Sequence, residues 1–210
     1  MIELFVKGGP IMWPLLLTSV VGLTVVVERL LFTMRERYRR QRTVVEEILT
    51  DVERGDISAA IQCGGSSSDF VARTLVSALS HPEEALPTAL LRAANLELKR
   101  FNRGLAVLDT IVTLAPLLGL LGTVTGMIRA FGLLGVRELE TPIAITGGIA
   151  EALIATAFGL GIAIVALVPF NFLNSKLEEA RHEIEDTASH VELLLLRGRH
   201  AVGAFSQETP

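Results

Sequence analysis

Residues 113–128 read TLAPLLGLLGTVTGMI, an apolar run that also holds three threonines, three glycines and a proline. Glycine and proline weaken a helix in water. In lipid, glycine lets two helices approach closely, and threonine offers a polar face without the cost of a charge. The stretch therefore predicts a membrane-spanning helix with one face built for contact.

The rest of the chain contains two further segments of this kind. Half of the 210 residues are hydrophobic, and the mean hydropathy is +0.50. Charge is absent from Gly8 to Val27 and from Thr110 to Ile128, and Glu151 is the only charge between Thr141 and Ser175. A bilayer core about 30 Å thick needs about 20 apolar residues in a helix, so these segments predict three spans. The first lacks a strongly basic start and a small-residue cleavage site, so we interpret it as a retained span and not as a signal peptide.

The basic residues predict how the chain is oriented. Lysines and arginines favour the cytoplasmic side, and they cluster after the first span, before the second and after the third. We therefore expect an external N-terminus and a cytoplasmic C-terminus. The predicted segments are an external N-terminus (1–9), span one (10–29), a cytoplasmic helical region (30–108), span two (109–129), a short periplasmic loop (130–144), span three (145–174) and a cytoplasmic C-terminal helix and tail (175–210).

The cytoplasmic segments show helical periodicity and no strand alternation. Asp56 is a predicted N-cap for a short helix over 57–63, and Ser80 is a predicted cap for the next helix start. From about residue 83 the pattern runs without a break into span two, to about residue 129, which predicts a helix about 70 Å long. The fold class is thus an all-α polytopic membrane protein with long cytoplasmic helical extensions. Span three is also expected to continue, through Leu177, Ile184, Val191 and Leu194. Two such long helices need partners for their apolar stripes, which favours a homo-oligomer.

Small residues recur along one face of span two and of span three. Such stripes let membrane helices pack closely, either on each other or on a neighbouring subunit. The stripes comprise Ala115, Gly119, Gly122, Gly126 and Ala130 in span two, and Gly148, Ala152, Ala155, Gly159, Ala163 and Ala166 in span three.

Three polar residues within the apolar spans are candidate functional groups. Glu151 is the strongest candidate because a carboxylate in a membrane is costly and commonly functional; the alternative is that it lies at the outer interface. Thr123 and Thr156 could line a polar track with it, although threonine in a membrane helix can bond its own backbone. Asp109 would lie at the cytoplasmic mouth of span two, and Glu28 with Arg29 would form an interfacial pair at the end of span one.

The chain carries no recognisable catalytic motif. It has one cysteine, Cys63, and four histidines that all fall in cytoplasmic segments. No P-loop, nucleotide fingerprint or Ser/His/Asp grouping is present, and His182 and His190 are eight residues apart, too far for an i, i+4 metal pair. We therefore predict no enzyme activity, no cofactor and no metal, and any work must be driven from elsewhere.

Two ordered motifs resemble the signature of the MotA/TolQ/ExbB proton channel family. They are APLLGLLGTVTGMI at 115–128, followed by Ala130 and Phe131, and GIAEALIATA at 148–157. The end of span one, Val27-Glu28-Arg29, and the segment Arg54-Gly55-Asp56 also fit. The length and the three spans resemble the ExbB/TolQ branch more than the four-span MotA branch.

The resemblance implies a homopentamer in the bacterial inner membrane. Such a pentamer surrounds an ExbD/TolR-type partner with a single span, and that partner carries the proton-binding aspartate. Proton flow then drives work on a TonB- or TolA-type protein that crosses the periplasm. By matching positions, Thr123 and Thr156 would line the pore with Glu151. The alternative function is a membrane scaffold that conducts no ions.

Overall fold

The computed structural model describes residues 2–132 and 141–205, with side chains for 3–132 and 146–196. Every element in these ranges is an α-helix. The all-α fold class is therefore confirmed. The helices are α1 (Ile2–Lys7), α2 (Met12–Tyr38), α3 (Arg42–Glu53), α4 (Ile57–Gly65), α5 (Phe70–Leu79), α6 (Leu86–Asn102), α7 (Leu105–Gly132) and α8 (Thr141–Phe205).

Among the described residues, three helices are long and apolar enough to cross a membrane, judged by length and composition. They are α2, α7 and the part of α8 from Thr146 to Leu196. Helices α7 and α8 extend into the predicted loop over 130–144. Residues 133–140 of that loop, which include Arg137, Glu138 and Glu140, lie outside the described residues, as do Met1 and residues 206–210.

The chain divides into two compact units, each built from separate parts of the sequence. The first unit comprises residues 1–30 and 104–173, and the second comprises residues 31–103 and 174–210. Helices α2 and α8 contribute residues to both units. The first unit therefore holds most of the apolar segments, and the second holds the helices α3 to α6.

Helix α7 in the first unit buries the small stripe that the sequence predicts. All five members of the stripe are buried, whereas the leucines on the other faces of α7 are largely exposed. At one end of α7, Leu105 and Leu108 pack with Leu173 of α8 in a small apolar cluster. Small residues thus form the contact surface over residues 115–130, whereas large apolar residues (Leu105, Leu108 and Ile111) form it near the start of the helix.

The predicted continuous helix from about 83 to about 129 is wrong. Helix α6 ends at Asn102 and α7 begins at Leu105, with Gly104 between them at φ +83°. This left-handed conformation suits glycine because it has no Cβ. A Cβ at Gly104 would also lie 3.1 Å from Val25 Cγ1 and 3.2 Å from Arg29 Cδ. Hydropathy does not reveal this break, since apolar residues continue on both sides.

Local capping explains two other helix boundaries. The Asp56 carboxylate accepts a hydrogen bond from the Ala59 N–H at 2.9 Å, as expected of the predicted N-cap. Ser80 was expected to cap a helix start, but it lies at the C-cap of α5, and α6 begins only at Leu86 with a proline in its first turn. Proline has a fixed φ and lacks an N–H, so it is favoured at this position.

Two arginine clusters hold the second unit together around its apolar core. Arg40 contacts Asp69 at 2.5 Å and Glu183, and it lies over the Phe70 ring. Arg73 bonds Glu97 at 2.7 Å. Burial by itself lowers the pKa of Arg73. The carboxylates of Glu97 and Glu36 together raise it by more than burial lowers it, so the net shift of the pKa is upward. The core that these pairs flank includes Ile48, Val52, Ala60, Val71, Leu75, Ala89, Leu90, Ile184 and Val191.

Candidate functional site

Helices α7 and α8 meet through glycines that leave no room for side chains. A Cβ at Gly159 would lie 2.5 Å from the Ala115 carbonyl oxygen, and one at Gly119 would lie 3.0 Å from Thr156 Cα. Because these neighbours are backbone atoms, the helices would have to separate to admit a methyl group.

The same close contact continues toward the other end of α7. A Cβ at Gly126 would lie 3.0 Å from the Gly148 carbonyl oxygen, and one at Gly122 would lie 2.4 Å from Ala155 Cβ. A Cβ at Gly148 would lie 2.7 Å from Ala130 Cβ. The small stripes of spans two and three thus pack on each other within one chain, which decides between the two arrangements that the sequence allows.

Thr156 lies directly in this contact. Its hydroxyl donates a hydrogen bond to the Gly119 carbonyl oxygen at 3.0 Å. That bond crosses from α8 to α7, and it is possible because Gly119 brings the two backbones together. Thr156 thus has a polar partner on the opposite helix, and its side chain is half-buried.

Thr123 has its partner on its own helix. Its hydroxyl donates to the Leu120 carbonyl oxygen at 2.6 Å, and the neighbouring Thr125 donates to the Leu121 carbonyl oxygen at 2.9 Å. Such a bond satisfies the hydroxyl without another helix. Thr123 is half-buried, at the edge of the face that carries the glycine stripe, since it lies four residues from Gly119 and three from Gly126.

Glu151 pairs with Arg129, a residue that the sequence did not mark as its partner. Arg129 Nη1 lies 2.8 Å from Glu151 Oε1. The Glu151 side chain is 21% exposed and that of Arg129 is 52% exposed. One feature of the sequence could have indicated this pair: Glu151 lies near the start of span three, and Arg129 lies at the end of span two, which is on the same side of the membrane.

Gly9 is the second residue near Glu151 that sequence reasoning missed. It has φ +72°, and a Cβ there would lie 1.8 Å from Glu151 Oε1. The turn between α1 and α2 is therefore in contact with the carboxylate. A glycine in a segment that joins two helices gives no indication of such a distant partner.

The predicted polar track consists of three separately bonded groups in this structure. The partner of Glu151 is Arg129, that of Thr156 is Gly119 and that of Thr123 is Leu120. Since Ala152 faces Gly126 and Ala155 faces Gly122, Thr123 lies nearer to the level of Ala155 than to that of Glu151. The three side chains share the α7–α8 region without bonding one another.

The candidate residues at the other end of these spans differ in exposure. Arg29 is buried and bonds the exposed Glu28 at 2.5 Å. Asp109 is exposed, and its carbonyl oxygen accepts a bond from the Thr113 hydroxyl at 3.2 Å. Within the described residues, no group of three or more His, Cys, Asp and Glu side chains is placed to hold a metal ion.

Comparisons with known proteins extend over most of the chain. The sequence model of the MotA/TolQ/ExbB proton channel family matches residues 66–186, which include Thr123, Glu151 and Thr156. The chain is 36% identical over 201 residues to the putative biopolymer transport protein ExbB-like 1 of Synechocystis sp., covering 92% of this chain and 78% of that protein. It is 34% identical over 197 residues to ExbB-like 3 of the same organism, covering 90% and 92%. Against the biopolymer transport protein ExbB of Neisseria gonorrhoeae it is 36% identical over 99 residues, covering 47% of this chain and 45% of that protein.

Proposed function

The chain belongs to the MotA/TolQ/ExbB proton channel family, and on that premise we propose that it forms the wall of a proton-driven motor. In this proposal an ExbD/TolR-type subunit with one span supplies the titrating carboxylate, and the assembly drives a TonB- or TolA-type protein. Relatives named for biopolymer transport support this role. The work done on the partner is mechanical and needs no catalytic group in this chain.

The observation that carries the proposal is the placement of polar groups on a closely packed apolar pair of helices. Glu151 and Thr156 lie on α8, and Thr123 lies on α7, while most surrounding residues are apolar. Residues 110–128 contain no charge, and Glu151 is the only one between residues 141 and 175. A proton path along this chain therefore has few groups to use, which fits a wall that relies on a partner for its main titrating site.

Exposed apolar side chains support the homo-oligomer, for which we propose a pentamer. In the second unit Leu91, Leu96, Leu193 and Leu196 are exposed. These residues lie in helices outside the apolar spans proper or at the far end of α8, so lipid does not account for them all. Contiguous apolar patches mark protein contacts, whereas single exposed leucines are normal, so the oligomer proposal requires that these leucines share a patch.

We propose that the chain lies in the bacterial inner membrane with its N-terminus in the periplasm and its C-terminus in the cytoplasm. The arginines at 35, 37, 39, 40 and 42 and the basic residues at 99, 100 and 103 would then be cytoplasmic. This is the side that lysine and arginine favour. Single cysteines placed at each end and labelled with an impermeant reagent test this orientation directly.

The function is tested by proton flux in proteoliposomes. The chain is co-expressed with an ExbD/TolR-type single-span protein, and the purified complex is reconstituted with a pH-sensitive dye inside the vesicles. We expect flux in the wild-type complex and a large loss in Glu151→Gln and Thr156→Val. Thr24→Val is the matched control, since Thr24 bonds only the Val20 carbonyl oxygen of its own helix.

The scaffold alternative predicts a different result. A scaffold would assemble with its partner but would give no flux, and Glu151→Gln and Thr156→Val would retain full activity in cells. That combination would refute the motor proposal. Native mass spectrometry of the same complex gives the number of copies of each chain.

A further inference from the structure

We propose that Arg129 and the Gly8–Gly9 turn form a clasp that holds the Glu151 carboxylate, which makes Arg129 a positioning residue for the proton pathway. The proposal rests on the proposed function for its role in proton flow, but the clasp itself is a structural claim. The clasp consists of Arg129, Gly8 and Gly9 around Glu151.

The first part of the clasp is the ion pair. A carboxylate in an apolar span is costly without a partner. Arg129 supplies one at 2.8 Å from the far end of α7, and hydrogen bonds between charged groups are the strong ones. The pair joins the same two helices that the glycine contacts bring together. Arg129 therefore neutralises Glu151 without using any group from another chain.

The second part is the turn before α2. Gly9 occupies a left-handed conformation, and its missing Cβ leaves the space that Glu151 Oε1 fills. A Cβ at Gly9 would also lie 2.5 Å from the carboxylate carbon. Even an alanine at this position would therefore displace the carboxylate from Arg129.

Gly8 lets the turn pack closely against α8. It is buried, and a Cβ there would lie 2.6 Å from Met12 Cγ and 3.1 Å from Ile154 Cγ2. Ile154 lies almost one turn along α8 from Glu151, so the two glycines contact adjacent turns of the same helix. The turn thus covers one side of the carboxylate while Arg129 holds its oxygen.

The clasp has a consequence for the path of a proton. Thr156 lies five residues beyond Glu151, which is about 7.5 Å along the helix. The Thr156 hydroxyl bonds Gly119, and the Glu151 carboxylate bonds Arg129. The Glu151 carboxylate is therefore held apart from the Thr156 hydroxyl, and its bond to Arg129 determines the position of the carboxylate.

The functional test compares substitutions at Arg129 in the reconstituted complex. Arg129→Lys keeps the positive charge and should retain most of the flux. Arg129→Gln removes the charge that holds the Glu151 carboxylate in position and should lower the flux several-fold. Gly9→Ala should lower the flux in the same way. Wild-type flux in Arg129→Gln would overturn the proposal.

A cross-link tests the geometry without any flux measurement. In a Cys63→Ser background, Gly9→Cys is combined with Glu151→Cys, and a disulfide needs Cβ atoms about 3.5–4.5 Å apart. The control combines Gly9→Cys with Leu153→Cys, because Leu153 is 64% exposed on another face of α8. We expect an intramolecular cross-link in the first pair and none in the control. Absence of the first cross-link, or equal cross-linking in both, would overturn the clasp.

A double-mutant cycle separates the clasp from the proposed function. The unfolding temperature is measured for Arg129→Gln, Glu151→Gln and the double variant in detergent. Coupled effects support the ion pair, and additive effects contradict it. If the wild-type complex conducts no protons while the cross-link and the coupling are present, the motor proposal fails and the clasp stands.

Discussion

The Thr156 hydroxyl donates a hydrogen bond to the Gly119 carbonyl oxygen, 3.0 Å away on the neighbouring helix. The bond depends on a glycine at its acceptor, because a Cβ at Gly119 would lie 3.2 Å from the Ala155 carbonyl oxygen and 3.0 Å from Thr156 Cα. Close backbone packing and polar pairing are therefore parts of one arrangement. This relationship makes Thr156 both a packing residue and a candidate for the proton pathway.

Thr156→Val should lower the stability of the first unit by about 0.6 kcal/mol, the average for a hydrogen bond between membrane helices. Thr156→Ser keeps the donor and should have a smaller effect on this bond. Thr125→Val is the control, since Thr125 bonds only carbonyls of its own helix. Unfolding of the purified chain in mixed micelles measures the differences. Equal stability of Thr156→Val and wild type would show that the bond contributes nothing.

Gly159→Ala should destabilise the protein by about 1–3 kcal/mol, because overpacking forces backbone shifts. The added methyl group would meet the Ala115 carbonyl oxygen at 2.5 Å. Gly161→Ala is a matched control two residues away, where a Cβ meets no atom within 4 Å. That control should be neutral or slightly stabilising, since alanine favours a helix over glycine. Similar unfolding temperatures for both variants would contradict the observed contact.

Asp69→Ala should destabilise the second unit by about 3 kcal/mol, as expected when one partner of a buried ion pair is removed. Asp69 is fully buried, and it accepts bonds from the Gln41 N–H at 2.7 Å, the Val71 N–H at 2.8 Å and Arg40. Asp56→Ala removes an exposed N-cap and should cost about 1 kcal/mol. Chemical denaturation followed by circular dichroism compares the two. A smaller loss for Asp69→Ala than for Asp56→Ala would be inconsistent with the buried cluster.

Glu47→Gln should speed the alkylation of Cys63 at mildly alkaline pH. The hydrogen bond to Glu47 raises the pKa of the Cys63 thiol, and partial burial and the charge of Asp51 raise it further. A raised pKa means less of the reactive thiolate at a given pH. Removing the Glu47 charge should therefore lower that pKa and shift the pH–rate curve to lower pH.

Iodoacetamide labelling across a pH series gives this curve, and Cys63 is the only cysteine in the chain. Glu185→Gln is the control, because Glu185 is not among the groups that shift the thiol. An unchanged curve in Glu47→Gln would show that Glu47 does not act on the thiol.

Much of the fold could be predicted because hydropathy and helical spacing are local properties. The fold class and the family are confirmed, and all five predicted small residues of α7 are buried. The break between α6 and α7 at Gly104 was missed because helical periodicity continues on both sides of this glycine, and the sequence does not show that its backbone has a positive φ. The start of α6 was misplaced at Ser80, since a serine followed by acids resembles a cap whether or not a helix follows.

The candidate site could be predicted only in part. The sequence singled out Glu151, Thr123 and Thr156 by their polarity in an apolar setting, and their roles in a proton pathway stay predictions. It did not find Arg129 or Gly9 as neighbours of Glu151, because both are far from it along the chain. Thr123 and Glu151 were expected to share a polar track, whereas the helix contacts place Thr123 closer to the level of Ala155 than to that of Glu151.

The amino-acid sequence by itself determined that this protein has three long apolar helices, because burial in lipid requires about 20 apolar residues in each. It also determined which face of span two would be the contact face. Only the tertiary structure decided that this face meets α8 of the same chain, that Thr156 bonds Gly119, and that Glu151 lies between Arg129 and Gly9. The reason is physical. Helical periodicity depends on residues that are close together in the sequence, whereas the choice of a contact partner depends on residues that are far apart in the sequence and meet only in the folded chain.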